Sequence, residues 1–200
     1  MKIGAVLLAA GRSKRFGESD KLLAEIDGVP LVRRALAALE ASVASDIVVV
    51  TLPGADRLIE AAGRGRWRFI ENGDADSGMA SSLRVGLANI DAACAGALIA
   101  LADMPMLSAA IVDDVCAAFA NCNGEAIVFP EAPDGRQGHP VLWPRAHFER
   151  LSALAGDQGG KSVLLAHREA WHPVPIVADA PFIDIDTPAD LKSATQRKSD

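Results

Sequence analysis

An apolar run, residues 3–8, passes through Ala9-Ala10-Gly11 into a loop whose cations, Arg12, Lys14, Arg15 and Lys21, crowd the end of what reads as a buried strand. In an open α/β sheet, ligands gather beyond the carboxyl ends of strands. Exposed backbone N–H groups beside cations suit a polyphosphate there. The loop is therefore read as a nucleoside triphosphate cradle. An ordinary solvated strand-to-helix loop is the plain alternative, but no apolar residue interrupts the segment between Gly11 and Phe16. Two familiar phosphate loops are excluded: Arg12-Ser13 breaks the glycine spacing of a dinucleotide fingerprint, and Gly17-Glu18 stands where a P-loop needs Gly-Lys-Ser/Thr.

Composition bounds what such a cradle can serve. The 200 residues suffice for one α/β domain, and half of them are hydrophobic. With 26 acidic against 20 basic residues the formal net charge is −6, which opposes non-specific binding to nucleic acid, so a small anionic substrate must be held by local cations. Cys94, Cys116 and Cys122 lack the spacing of a zinc site and read as reduced core thiols. The first apolar run resembles a signal peptide only superficially, and no run approaches the ~20 residues of a membrane span. A cytoplasmic protein with no membrane partner is expected.

Strand-like and helix-like segments alternate, which predicts a three-layer α/β/α, Rossmann-like open and mostly parallel sheet. Strands are expected at 3–8, 47–52, 67–70, 97–101, 126–129, 140–143, 174–177 and 182–185. Helices are expected after Pro30, after Ser108, over 145–154, and from Thr187 as N-cap with Pro188 at the first helical position. Residues 197–200 are expected to fray. A single domain is predicted, with residues 1–125 as a nucleotide-binding half and 126–200 as an acceptor-binding half that includes an insertion-like substrate lobe.

Asp103 follows the strand at 97–101 and would be delivered to the same sheet end as the cradle. Mg²⁺ prefers one or two carboxylates together with substrate phosphate oxygens, so Asp103 is the first candidate ligand; helix capping, the alternative, suits Ser108 better. The segment 184–190 brings a second acidic strand end, in which alternation places Asp184 and Asp186 on one face. Two such carboxylates repel without a cation, and Asp186 is the second candidate ligand. Asp190 reads as a first-turn charge favouring the helix dipole.

Other polar clusters complete the picture. Gly78 to Arg84 opens a helix whose free N–H groups and hydroxyls can read a base edge or an anion. Residues 155–162 fit the loosest P-loop pattern but follow a helix and contain Asp157, so the segment is read as an anion-binding turn through Gly160 and Lys161. Arg136-Gln137-Gly138-His139-Pro140 forms a polar loop in which His139 is expected to touch substrate.

Taken together these residues resemble the MobA-like nucleotidyltransferases, most closely the molybdenum cofactor cytidylyltransferases. The resemblance rests on the Leu-Ala-Ala-Gly loop through Lys21, on 78–86, on Leu101-Ala102-Asp103-Met104-Pro105, on Gly138-His139-Pro140, on Gly156-Asp157-Gln158-Gly159 and on 184–191. It implies the nucleotide-diphospho-sugar transferase type of fold. It also implies triphosphate contacts from Ala9, Ala10, Gly11, Arg12, Ser13, Arg15 and Lys21, a base beside Gly78 and Ser82, and Mg²⁺ on Asp103 and Asp186. Arg136, Gly138, His139, Asp157 and Lys161 would face molybdopterin. Ala10 stands where guanylyl-transferring relatives carry a second glycine, which points to CTP. Asp20, Phe16, Ala80 and Gly160-Lys161 depart from the family's usual residues.

The implied reaction joins the terminal phosphate of molybdopterin to the α-phosphorus of CTP and expels pyrophosphate, with Lys21, Arg15 and Asp103 as the catalytic set. A recipient molybdenum hydroxylase apoenzyme would then be a transient partner. Guanylyl or sugar-phosphate transfer, an NAD(P)H-dependent oxidoreductase on the same fold, and a non-catalytic carrier of molybdopterin are the rival expectations.

Overall fold

The computed structural model describes residues 1–11, 16 and 20–196. In chain order its strands are β1 (Ile3–Ala9), β2 (Glu25–Ile26), β3 (Val29–Pro30), β4 (Asp46–Thr51), β5 (Trp67–Glu71), β6 (Gly96–Leu101), β7 (Ile127–Glu131), β8 (Val141–Pro144) and β9 (Trp171–Pro175). The α-helices are α1 (Leu31–Glu40), α2 (Asp56–Ala62), α3 (Met79–Asn89), α4 (Ala109–Asn121), α5 (Phe148–Ser152), α6 (Lys161–Ala166) and α7 (Pro188–Gln196). No helix among the described residues is long and apolar enough to cross a membrane.

Seven strands form one sheet in the order β5-β4-β1-β6-β8-β7-β9, and β2 and β3 make a separate hairpin. β1 pairs in parallel with β4 on one edge and β6 on the other, so its apolar side chains are covered on both faces. Only β8 runs against its neighbours. The chain builds outward from β1 through β4 to β5, then crosses to the other side to form β6. This reversal leaves a crevice beyond the carboxyl ends of β1 and β6, the position at which open α/β sheets bind ligands.

Two apolar clusters fill the layers. One packs α1, α2 and α4 against the sheet through Leu36, Leu39, Val112 and Phe119; the other packs α3, α5 and α6 through Leu83, Leu87, Leu151 and Leu164. Phe119 and Phe129 are completely buried, a contribution of about 2–3 kcal/mol each. A third, smaller cluster of Ile26, Leu31, Ile185 and Ala194, with Phe16 and Leu191 against it, ties the hairpin to α7.

Several expectations for the carboxyl half are corrected. Residues 182–185 form no strand: a 3-10 turn at Ala180–Phe182 leads into an unpaired segment, because Ile185 is drawn into the third cluster and its N–H donates to the Asp103 carbonyl at 3.0 Å. The strand expected at 174–177 instead starts at Trp171, since its parallel register sets Trp171 opposite Ile127. The helix over 145–154 divides into a 3-10 turn at Arg145–His147 and α5. From β7 onward the strands join the same sheet rather than a separate lobe.

The ends of α4 and α7 follow their sequences. Ser108 caps α4 by accepting from the Ile111 N–H at 3.4 Å. Thr187 and Asp190 form a reciprocal capping box: the Asp190 N–H donates to Thr187 Oγ1 at 3.3 Å, and the Thr187 N–H to Asp190 Oδ2 at 2.7 Å. The residues at 197–200 lie outside the described residues.

Candidate active site

Three segments far apart in sequence deliver Lys21, Asp103 and Asp186 to one point. Lys21 opens a 3-10 turn whose N-cap, Asp20, accepts from the Leu22 N–H at 3.0 Å, while Leu22 is buried and anchors the turn. Asp103 lies two residues beyond β6, placed there by the Ala102 N–H donating to the Leu8 carbonyl at 3.2 Å. Asp186 follows Ile185, whose backbone bond to Asp103 holds the two acidic segments together. The Lys21 ammonium donates to Asp103 Oδ2 at 2.6 Å and to Asp186 Oδ1 at 3.2 Å.

Side-chain exposures of 12%, 17% and 29% for Lys21, Asp103 and Asp186 place this cluster at the floor of the crevice, partly shielded from water. Burial works against the Lys21 ammonium, but the charge of Asp103 and the hydrogen bonds to both carboxylates prevail and raise its pKa above the ordinary lysine value. Lys21 therefore stays cationic across the physiological range. Asp103 Oδ1 is buried and has no hydrogen-bond partner among the described residues.

The remaining nucleotide contacts expected from sequence divide into three groups. Ala9 and Ala10 are buried at the end of β1, whereas Gly11 is exposed and a Cβ there would meet only open space. Arg12, Ser13, Lys14 and Arg15 lie outside the described residues. Gly78 and Ser82 have structural partners. Gly78 adopts φ +97°, and a Cβ on it would strike the Gly156 backbone, where the Ala80 N–H donates to the Gly156 carbonyl at 3.1 Å. The buried hydroxyls of Ser81 and Ser82 accept from Asn72 Nδ2 at 2.8 and 3.0 Å. Asn72, buried beyond the end of β5, escaped the sequence reading, although a lone amide directly after a strand was its signal.

Beside the crevice a cavity of about 740 Å³ runs over the α3 face of the sheet. Arg136, Gly138, His139 and Lys161 line it together, while Asp157 is exposed outside the lining. Gly138 has no room for a side chain: a Cβ would lie 2.7 Å from both the Pro181 carbonyl oxygen and the Phe182 ring. Backbone bonds from the Gly138 N–H to Pro130 O (2.8 Å) and from the His139 N–H to Pro181 O (3.0 Å) stitch this loop to the segment leading to Asp186.

His139 turns inward with Nδ1 buried and unpartnered. Burial lowers its pKa, with a backbone hydrogen bond at Ile99 and the charges of Asp103 and Asp184 acting weakly the other way, so the imidazole is neutral at physiological pH. The cavity's cations are Arg136, Lys161 and Arg168, and no Asp or Glu among the described residues lines it. Arg168, Trp143 and Trp171 were not foreseen in sequence, because their approach depends on β8 and β9 joining the sheet.

The donor set fits a hard cation. Mg²⁺ takes one or two carboxylates plus phosphate oxygens, and Asp103, with its unpartnered oxygen, converges with Asp186 on one positive centre now supplied by Lys21. The arrangement can thus hold a polyphosphate and its metal at one end and an anionic molecule at the other.

Comparisons with known proteins agree with this geometry. Residues 5–171 match the family model described as the MobA-like NTP transferase domain. The chain is similar to a probable molybdenum cofactor guanylyltransferase of Natronomonas pharaonis, 25% identical over 203 residues and covering 97% of each chain. It is also similar to the nicotine blue oxidoreductase of Paenarthrobacter nicotinovorans, 28% identical over 176 residues and 81% of each. Among solved structures, a homolog of Mycobacterium tuberculosis Rv0371c from Mycobacterium sp. strain JC1 superposes with a TM-score of 0.84 at 25% identity, over 98% of each chain.

Proposed function

Because the chain belongs to the MobA-like NTP transferase family, we propose that it transfers CMP from CTP to the terminal phosphate of molybdopterin and releases pyrophosphate. The observation that carries this reading is the meeting of Lys21, Asp103 and Asp186 beside a largely apolar cavity that carries Arg136, Lys161 and Arg168. In the reaction an acceptor phosphate oxygen bonds to the α-phosphorus while the bond from that phosphorus to the bridging oxygen breaks, and pyrophosphate leaves with the electron pair. The attacking oxygen is already anionic, so no strong base is required. Positioning and charge neutralisation supply the rate.

Lys21, held cationic by its neighbours, meets the charge that develops on the phosphates. Asp103 and Asp186 would hold Mg²⁺, which when bound neutralises charge on the transferring group and leaving group. His139, neutral and buried, gives the cavity a hydrogen-bonding group without further charge. We assign residues 1–125 chiefly to the nucleotide and 126–200 chiefly to the acceptor, with Asp186 crossing that division.

The relatives' names support an acceptor from the molybdenum cofactor family, because two of them are called molybdenum cofactor guanylyltransferases. Those names favour GTP as a second reading. Ala10 favours CTP through the resemblance alone, since guanylyl-transferring relatives carry a second glycine there; here its methyl joins the apolar cluster under α3. The similarity to nicotine blue oxidoreductase favours a redox reading, against which stands the interrupted glycine fingerprint at Arg12-Ser13. Incubation with molybdopterin, Mg²⁺ and an equal mixture of CTP and GTP, followed by mass analysis, separates these readings. The cytosine dinucleotide is the expected product. The guanine dinucleotide would reverse the base assignment, and absence of both dinucleotides would rule out the reaction.

A further inference from the structure

The cavity described above extends well past the reacting groups. Leu8 and Leu101, at the carboxyl ends of β1 and β6, form one end; the other is formed by Trp171, the first residue of edge strand β9, and by Arg168 on the 3-10 turn before it. Four strand spacings separate β1 from β9, about 19 Å at about 4.8 Å each. A simple phosphate fills little of such a span, and the cavity suits an elongated acceptor with a second recognisable head.

Arg168 is prepared to recognise that head. Its guanidinium lies over the Trp171 ring, 5.1 Å from the centroid. Trp171 is itself fixed, its indole N–H donating to the Leu164 carbonyl at 2.7 Å and its ring set edge-on to the buried Phe129 at a centroid distance of 5.4 Å. Among the described residues no hydrogen bond or ion pair engages the Arg168 guanidinium. Arg136 differs, because its Nε is bonded to Asp134 at 2.7 Å. Lys161 offers a compact point charge without a planar fork.

Resting on the transfer reaction proposed above, we propose that Arg168 recognises the distal head of the acceptor, a planar group presenting two adjacent hydrogen-bond acceptor atoms, while the reacting phosphate lies at the Lys21–Asp103 end. A guanidinium held over an indole has less freedom to lose on binding, and its paired N–H donors lie in one plane. Arg168 is thus a binding residue that sets acceptor choice, and it acts away from the bonds that change.

Calorimetric titration of wild type, Arg168→Ala, Arg168→Lys and Arg136→Ala with two probes, molybdopterin under anaerobic conditions and 6-carboxypterin, tests this. Arg168→Ala is expected to weaken both probes at least tenfold, with the Kd for CTP, titrated in the same way, shifting less than twofold. Arg168→Lys should recover no more than threefold of the loss, and Arg136→Ala should lose less than Arg168→Ala. Binding of both probes by Arg168→Ala within twofold of wild type would overturn the assignment. So would full recovery with Lys, a larger loss at Arg136, or a wild type that binds neither probe. Wild-type binding of 6-carboxypterin alone, lost in Arg168→Ala, would uphold Arg168 and sink only molybdopterin as the acceptor.

Discussion

The two ends of the ligand-binding region treat charge in opposite ways. At the crevice floor Lys21 lies within 3.2 Å of both Asp103 and Asp186, one cation between two carboxylates, and each is at least partly shielded from water. At the far end of the cavity Arg168 rests on Trp171 with no acidic residue among the described lining. A lysine paired with two carboxylates has a low cost when empty and leaves an excess negative charge for a metal that arrives with a polyphosphate, so it suits chemistry. An unbalanced cation on a fixed aromatic platform waits for an anion or a paired acceptor, so it suits recognition.

The sharpest way to break this contrast is to disturb the ion-paired end. Asp103→Asn keeps the shape and removes the charge, and turnover is expected to fall by about 10²–10³, or roughly 3–4 kcal/mol, as for other preorganised electrostatic groups. The acceptor KM should stay within a few-fold, as read by pyrophosphate release. A loss confined to acceptor KM would mean that the two ends have been given each other's roles.

A smaller effect is expected where the two ends touch. Gly78→Ala forces a side chain at φ +97° against the Gly156 backbone and should destabilise the protein by about 1–3 kcal/mol. Thermal unfolding should drop by several degrees, with acceptor binding weakened more than nucleotide binding because the 155–160 loop shifts. Below that, Thr187→Ala removes the capping box that steadies the segment bearing Asp186, and about 1 kcal/mol of stability should be lost in a denaturant titration.

The gentlest probe is pH. Burial lowers the pKa of both His139 and His147, so the native state holds them neutral while the unfolded chain binds protons near the ordinary value of 6.5. Their contribution is present above 6.5 and is lost as pH falls through the lowered folded values. The melting temperature should therefore decline on acidification below about 6.5, with a shallower slope in His139→Gln. Lys21 has the opposite sign, since its raised pKa keeps its contribution intact below 10.5 and removes it only in strong alkali.

How far these features could be read in sequence follows the same division. β1 and β6 were legible because uninterrupted apolar runs leave little choice of environment, and Asp103 was legible because a carboxylate directly after such a run has few structural uses, whereas Asp186 was picked out by its alternation with Asp184. Phe182 to Ile185 misled because alternation also describes an extended segment that pairs with nothing. There the Ile185 bond to Asp103 and the third cluster decided the outcome. Ser82 read as a base contact, yet it shares Asn72 with Ser81 in a buried network that only the fold brings together. Arg168 on Trp171 was hidden for the same reason, whereas the pairing of Arg136 with Asp134, two residues away, was available from spacing alone.

Calorimetry of CTP binding in the presence and absence of Mg²⁺, on the wild type and on Asp103→Asn, tests the central claim most directly. A metal-dependent heat in the wild type that disappears in the variant, with CTP still bound weakly by both in the absence of metal, is the result expected of a nucleotide seated at Lys21, Asp103 and Asp186. Equal heats in the two proteins, or nucleotide binding indifferent to the metal, would contradict it.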